Sequence, residues 1–451
     1  MRRKAILWSV TGLVLAAIVA VIIYLNSLMC IITGYAAKNL ASAVFISGRE
    51  QDDVENLDLN FSFIRFNHNT IDYENKTVTS RFLWGKSTAV YIPDYGVTLL
   101  RGDKANLYNR AKLPEFVSCD PDTISWPLGN MIPTNIDSAD RQLTQKIEPI
   151  SKAFVDDKAY NGTPFAFVVL HNGNIVAERY GYKCNVNTPL LSWSMAKSFT
   201  NAIVGLMVSD GIVDINVPMD IPEWQNDERK DITLNDIMQM QSGLEWNEDY
   251  GARSNVNLML HREEDMGYYA LDKSLKYRPG TFWYYSSGST NIVMRYLRGK
   301  FDSDEDFYAY IGNRLFEPLG IRDVYFETDM SGTPVGSSYL YTTARNFARF
   351  GLLYLNDGMF AGQRILPESW VKYSRTPASA SAKQYGSFFW LNADRHFPDV
   401  PEDMYSCNGH DGQQIFIIPS KDLVVVILGY SPKPDHEIDF NRLLRDIIKN
   451  I

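Results

Sequence analysis

Cysteine and histidine are scarce in this sequence, four and six residues out of 451. Cys30 falls at the end of an apolar N-terminal run. That leaves Cys119, Cys184 and Cys407, an odd number for a disulfide framework, with at most one bridge among them. There is no CxxC pair, no clustered His/Cys set and no HExxH, so the sequence offers no metal site. No motif in it asks for a cofactor. A basic tract is also missing. The net charge is -9, with 44 Lys and Arg against 53 Asp and Glu, which gives no support for nucleic-acid binding. The 29 Gly and 20 Pro are scattered, and neither a repeat nor a low-complexity tract is present. Hydrophobic residues reach 45%, enough for a large core and too many for wholesale disorder. The length suggests two or three structural units.

Charge itself is absent from Ala5 to Tyr24. Arg2, Arg3 and Lys4 come before this stretch, and the next charge is Lys38. A run of about 20 apolar residues spans a bilayer as a helix. Its basic flank predicts a cytoplasmic N-terminus and an exported remainder, periplasmic or extracellular. Residues 1–30 are therefore expected to be a retained membrane anchor. The alternative is a cleaved signal peptide, but no small-x-small site follows the run. Met29 before Cys30 makes a poor lipoprotein site. The basic flank also argues against a buried core helix.

Residues 31–136 read as an accessory region without assigned chemistry. Ile31 to Ser47 suggests a small-residue helix leading out of the membrane. Phe61–Phe66 and Ser87–Pro93 look like short strands. The third region, 137–451, carries the motifs. Helical spacing runs from Ala139 to Phe154. Phe165–Leu170 and Ile175–Tyr180 flank Asn172-Gly173, a strong hairpin signal. Ser194 to Ser209 reads as an amphipathic helix. Further helices are expected at Thr233–Gln241, with Thr233 and Asp236 in a near capping box, at Ser303–Leu319, at Thr342–Asn356 and at Glu437–Lys449. Gln414–Ile418 and Leu423–Leu428 suggest a second hairpin. With hairpins at both ends and helices between, the expectation is an α+β fold whose antiparallel sheet is assembled from both ends of the region.

Ser194-Met195-Ala196-Lys197 is a Ser-x-x-Lys motif. Positions i and i+3 share a helix face, so Ser194 Oγ and Lys197 Nζ can meet. A serine hydroxyl needs an adjacent base, and lysine can serve if burial or a nearby positive charge lowers its pKa. A helix start adds free N–H groups suited to developing negative charge. Ser-x-x-Lys recurs at Ser369–Lys372, where an ordinary helix N-terminus after Pro367 explains it as chance. A second constellation runs from Pro279-Gly280-Thr281 to Tyr284-Tyr285-Ser286-Ser287. A tyrosine there could shuttle a proton, or be a core aromatic. The third is Asn408-Gly409-His410-Asp411-Gly412-Gln413, just before the last hairpin. Glycine-rich backbone at a strand start lets a substrate carbonyl approach an N–H, although a lone His beside Gly is more often a turn residue.

Taken in order and spacing, the three motifs resemble the serine β-lactamase and penicillin-binding-protein family, in its class C and esterase-like branch. The stretch Tyr285-Ser286-Ser287 looks like that branch's Tyr-x-Asn element, and His410-Asp411-Gly412 falls where the family has Lys-Thr-Gly. Gln241-Ser242-Gly243-Leu244 and Thr343-Ala344-Arg345 through Gly351-Leu352-Leu353 add to the likeness, which covers about 140–451. Within the family the sequence is similar to the 6-aminohexanoate-dimer hydrolase group. The resemblance implies a β-lactamase-like antiparallel sheet flanked by helices, with a mostly helical subdomain. It also implies acyl transfer: Ser194 as nucleophile, Lys197 as base and Tyr285 passing the proton to the leaving group. The oxyanion would face the N–H groups of Ser194 and Gln413. Ser287 would bond Lys197 or the substrate, and His410 and Gly412 would line the substrate side.

Two departures matter. Ser287 replaces the usual Asn, and His410 replaces a Lys that recognises a substrate carboxylate, which favours neutral small-molecule amides or esters. No class A-type Ser-Asp-Asn element occurs. Three functions remain in view: a serine amidase or esterase, a β-lactamase or DD-peptidase of the same fold, and a non-catalytic sensor or binding module. The presence of Ser194, Lys197 and Tyr285 together favours the first over the third. His410 argues against the second.

Overall fold

A computed structural model describes residues 2–102, 107, 120–132 and 138–451. Cys119, and the expected boundary at 136 to 137, lie outside these. Among the described residues no disulfide joins Cys30, Cys184 and Cys407. The chain forms two compact units. One comprises Met1–Pro93, Val97–Lys104 and Asn247–Glu264; the other holds the rest.

The first unit is built on one unbroken helix, Arg2–Phe45. At 1.5 Å per residue its 44 residues extend about 66 Å, roughly twice a bilayer's hydrocarbon core. It is long and apolar enough to cross a membrane. The separate helix expected from Ile31 is the second half of this one. Side chains from Trp8 to Tyr24 are open, whereas most from Met29 to Ala43 are buried. The buried half lies against a four-stranded antiparallel meander of β1 (His68–Asp72), β2 (Thr77–Phe82), β3 (Gly85–Ile92) and β4 (Gly96–Leu99). Phe61–Phe66 is not a strand. Aromatics at 61, 63 and 66 do not alternate across a sheet; the segment turns at Ser62, whose φ is 43°, and ends in a 3-10 turn, Ile64–Phe66.

Arg101 ties this unit together. Its guanidinium donates to the carbonyls of His261 (2.8 Å) and Cys30 (3.3 Å) and to Ser87 Oγ (2.9 Å). Gly34 makes room for it, since a Cβ there would stand 2.7 Å from Arg101 Nη2. His261, from helix Asn255–Arg262, is buried, and its Nδ1 has no partner among the described residues.

The second unit is organised around a six-stranded antiparallel sheet whose strands run, in spatial order, Trp390–Leu391, Tyr405–Asn408, Gln414–Ile418, Leu423–Gly429, Pro164–His171 and Asn174–Tyr180. Its N-terminal hairpin is β5 (Pro164–His171) and β6 (Asn174–Tyr180), turned at Asn172 and Gly173 with φ of 49° and 78°. β7 (Leu190–Leu191), β8 (Val324–Phe326) and β9 (Leu340–Thr342) form a small sheet, and β10 (Met359–Phe360) pairs β11 (Gln363–Arg364). The C-terminal strands are β12 (Trp390–Leu391), β13 (Tyr405–Asn408), β14 (Gln414–Ile418) and β15 (Leu423–Gly429). β15 pairs β5 with Leu423 opposite His171 and Ile427 opposite Phe167, so the two ends of the region meet as the sequence predicts.

Both faces of the sheet are covered, which is why β14 and β15 are apolar nearly throughout. Phe416, Val425, Ile427, Phe167 and Val169 join one cluster with Leu143, Ile147 and Phe154 of helix Ser138–Val155 and with Leu443 and Leu444 of helix Phe440–Ile448. The opposite face meets helix Ala344–Leu355, where Gly351 lets Val424 and Ile415 approach closely. Helix starts fall close to their caps: Thr233 and Asp236 form a reciprocal capping box, and Ser303 and Thr343 each cap a helix.

Burial first, then the Arg101 and Lys38 cations, push the His261 imidazole down to about 3. An unfolded histidine titrates near 6.5, so between these values the unfolded chain holds a proton that the folded one lacks. Stability should therefore fall as pH drops below about 6.5, by at most about 1.4 kcal/mol per unit from this group, levelling near 3. Urea unfolding against pH should give a shallower acid slope for His261→Phe than for the wild type.

Candidate active site

Strand β7 delivers the chain into a tight turn. Ser192 exchanges hydrogen bonds with β9, its backbone N–H donating to the Leu340 carbonyl (2.8 Å) while its side-chain Oγ accepts from Leu340 N (3.2 Å). Trp193 follows with φ 44°, a left-handed conformation that is a true outlier for a bulky residue and the kind of strain that gathers at functional sites. Trp193–Met195 form a 3-10 turn before helix Ala196–Ser209. The helix is buried from Ala196 to Met207 on all sides, not amphipathic as its sequence suggests. Covering on every side removes the need for a polar face.

Ser194 and Lys197 do meet. Lys197 Nζ lies 3.0 Å from Ser194 Oγ, 3.0 Å from Ser287 Oγ and 2.9 Å from the Ser337 carbonyl oxygen. These three neutral oxygens come from three segments of the chain. The lysine side chain is 1% exposed and Ser194 is 9% exposed. By contrast Ser369 and Lys372, on helix Glu368–Ser374, are both open to solvent, and no hydrogen bond joins them.

Tyr285 comes to the same point by its ring, with Lys197 Nζ 4.8 Å from its centroid. Gln241-Ser242-Gly243 holds the segment leading to it. Lys276 N and Tyr277 N donate to the Gly243 carbonyl, Gly280 N to Gln241 O, and Tyr284 N to Met240 O. Ser286 Oγ accepts from Ser289 N, capping helix Ser287–Arg298. That cap places Ser287 in the first turn, toward Lys197.

The Asn408–Gln413 segment passes directly beside the Trp193–Met195 turn. A Cβ at Gly409 would stand 2.3 Å from the Ser192 carbonyl oxygen. His410 packs edge-on against Trp193 at 5.4 Å, with Nε2 3.3 Å from Asp411 Oδ1. Gly412 has φ 89°, a conformation that glycine adopts without strain. The Gln413 side chain is a clamp: it donates to Gly429 O (2.6 Å) and accepts from Gly429 N (2.9 Å). That leaves the Gln413 backbone N–H as its available donor; it has no acceptor among the described residues.

Several participants carried no signal in the sequence. Ser337 supplies a carbonyl, which any residue has. Its N–H is fixed by Asn291 Oδ1 at 3.2 Å, four residues after Ser287 on the same helix. Tyr385 and Trp390 wall in Tyr285, at 5.9 Å and 5.3 Å between ring centres, and Trp283 packs against both of them. Their proximity depends on β12, a strand of two residues that no period reveals. Among the described residues no cluster of His, Cys, Asp and Glu is arranged to hold a metal ion.

An antiparallel sheet with helices on both faces, a Ser-x-x-Lys pair at a helix start and a glycine-rich segment beside it define a β-lactamase-like α+β protein. The comparisons agree. The model of the Beta-lactamase family matches residues 152–447, and the chain belongs to that family. It is 24% identical over 306 residues to the 6-aminohexanoate-dimer hydrolase of Paenarthrobacter ureafaciens, covering 60% of this chain and 73% of that one. A Bacillus anthracis protein assigned as a 6-aminohexanoate-dimer hydrolase superposes with a TM-score of 0.57 at 26% identity, over 66% of this chain and 81% of that chain. EstCE1, described as a hydrolase with promiscuous acyltransferase activity, shares the fold with a TM-score of 0.53 at 13% identity, over 70% and 99% of the two chains.

Gly243 offers a test of how tightly the Tyr285 segment is held. Its φ is 77°, and a Cβ would fall 2.0 Å from the Tyr277 carbonyl oxygen. Gly211 has a similar φ of 73° but open space around it. In urea unfolding of the full chain, Gly243→Ala should cost about 2–4 kcal/mol and Gly211→Ala about 1 kcal/mol.

Proposed function

We propose that the protein is a serine hydrolase that cleaves a small amide or ester through an acyl-enzyme on Ser194. The observation that carries this reading is the buried contact of Lys197 Nζ with Ser194 Oγ at 3.0 Å. In its neutral form the amine takes the hydroxyl proton as Oγ adds to the substrate carbonyl. The carbonyl oxygen, now negative, faces the backbone N–H groups of Ser194 and Gln413. Collapse of this intermediate breaks the C–N or C–O bond, and the proton reaches the leaving group through Tyr285. Water then adds to the acyl-enzyme by the reverse proton route and frees Ser194. Ser287 and the Ser337 carbonyl hold Nζ in register throughout.

His410, with Gly412, lines the substrate side. A histidine where the wider family's motif has Lys removes a permanent cation, which favours neutral substrates over those with a carboxylate. The Arg2–Phe45 helix supports a membrane-anchored enzyme whose hydrolase unit acts outside the cytoplasm.

Brief exposure of the full chain to a p-nitrophenyl ester, followed by intact mass measurement, should show one added acyl group together with release of p-nitrophenol. Ser194→Ala should abolish both, and release that survives in this variant rules the reading out. Faster turnover of a chromogenic cephalosporin than of any ester or amide would point instead to a β-lactamase. For the base, Lys197→Ala should lose at least about a hundredfold in kcat/KM, in the range of general-base losses, while Lys372→Ala stays near wild type. Equal losses would overturn the assignment. The full chain should remain in the membrane pellet after a carbonate wash; a shortened soluble product would exclude the anchor.

A further inference from the structure

The two ends of the β1-β2-β3 meander differ in a way that neither folding nor the hydrolase site explains. The β1–β2 turn is polar, running Asp72-Tyr73-Glu74-Asn75-Lys76, and lies near the C-terminal end of the long helix, where Tyr73 meets Phe45. The β2–β3 turn lies toward the opposite end. It is a two-residue connection, Leu83-Trp84, closed by the Phe82–Gly85 pair. Such turns favour Asn, Asp and Gly because φ must be positive. Here Leu83 adopts φ 50°, at an expected cost to the fold, and its side chain gains no burial in return. Leu83 is 67% exposed and Trp84 is 54% exposed.

More apolar surface adjoins this turn. Phe63 and Phe66, at 56% and 61% exposure, lean on Phe82 with ring centres 6.2 and 6.5 Å away. Cations border the patch: Arg65 sits between the two phenylalanines, and Lys86 follows Gly85, both open to solvent. A contiguous exposed aromatic patch of this kind marks an interaction surface.

The helix identifies the partner. Trp84 Nε1 donates to Asn26 Oδ1 at 3.0 Å, and a Cβ on Gly85 would stand 2.8 Å from Met29 Cβ. Asn26 comes two residues after Tyr24, where the exposed apolar face of the helix ends. The patch is therefore at the level at which the helix leaves the hydrocarbon. Trp, Phe and Leu at that depth, bordered by Arg and Lys, match the acyl–headgroup boundary of a bilayer with anionic lipid.

Resting on the reading of the helix as an anchor, we propose that Phe63, Phe66, Leu83 and Trp84 insert into the membrane interface. The first unit then does not swing on a single helix but is seated on the bilayer at a second point, which fixes its orientation.

The test uses the full chain reconstituted in phosphatidylcholine–phosphatidylglycerol vesicles. Bromine is placed on the lipid chains either near the headgroup or near the chain end. Trp84 emission is the difference between wild type and Trp84→Phe, and Trp8 emission is obtained in the same way from Trp8→Phe. Strong quenching of the Trp84 signal by the shallow bromines, and less by the deep ones, is the expected result. A quenched Trp8 with an unquenched, water-exposed Trp84 overturns the interfacial seat while leaving the anchor standing. If neither is quenched, the anchor reading fails and the seat fails with it.

Discussion

The candidate site depends on one buried amine having a fixed place. Lys197 Nζ is held at about 3 Å by Ser194 Oγ, Ser287 Oγ and the Ser337 carbonyl. The carbonyl can only accept, so it claims one N–H in every protonation state of the lysine. A long flexible side chain is thereby reduced to one position, as the proposed role of a base beside Ser194 requires. The elements around it serve that placement: the strained turn at Trp193, the Ser286 cap that begins the Ser287 helix, and the Asn291 contact that sets the Ser337 peptide.

The sheet explains why these pieces stay together. β15 and β5 bring the last and first strands of the second unit into register, and apolar residues on both faces are covered by helices. The glycine-rich segment before β14 is consequently held beside the Ser194 turn, and the Gln413 side chain locks it to β15. Close backbone approach is possible because Gly409 has no Cβ to meet the Ser192 carbonyl.

The first unit applies similar physics to another end. Its long helix is apolar and open in one half and apolar and buried in the other. Arg101, bonded to carbonyls and a hydroxyl from different segments, joins that buried half to the sheet and to helix Asn255–Arg262. The result is a folded body that begins where the exposed apolar surface of the helix stops.

Much of this was legible in the residues. Hairpins with Asn-Gly and Pro-Ser-Lys-Asp turns, capping residues at Thr233 and Ser303, and Ser194 three positions before Lys197 are local patterns, and local patterns survive in one dimension. The errors arose where local signals were ambiguous. Phe61–Phe66 has strand-like composition but no alternation, and the Ser194 helix was expected to keep a polar face because its surroundings could not be known. Ser337, Asn291, Tyr385 and Trp390 could not be found, since a carbonyl, an amide and aromatic rings gain meaning only from what folds against them. The sequence by itself determined the two hairpins at the ends of the second unit, the helix caps, the apolar N-terminal run and the spacing of the motifs. Only the tertiary structure decided which of two Ser-x-x-Lys pairs is buried and where the third partner of the lysine comes from, because both depend on contacts between segments more than a hundred residues apart.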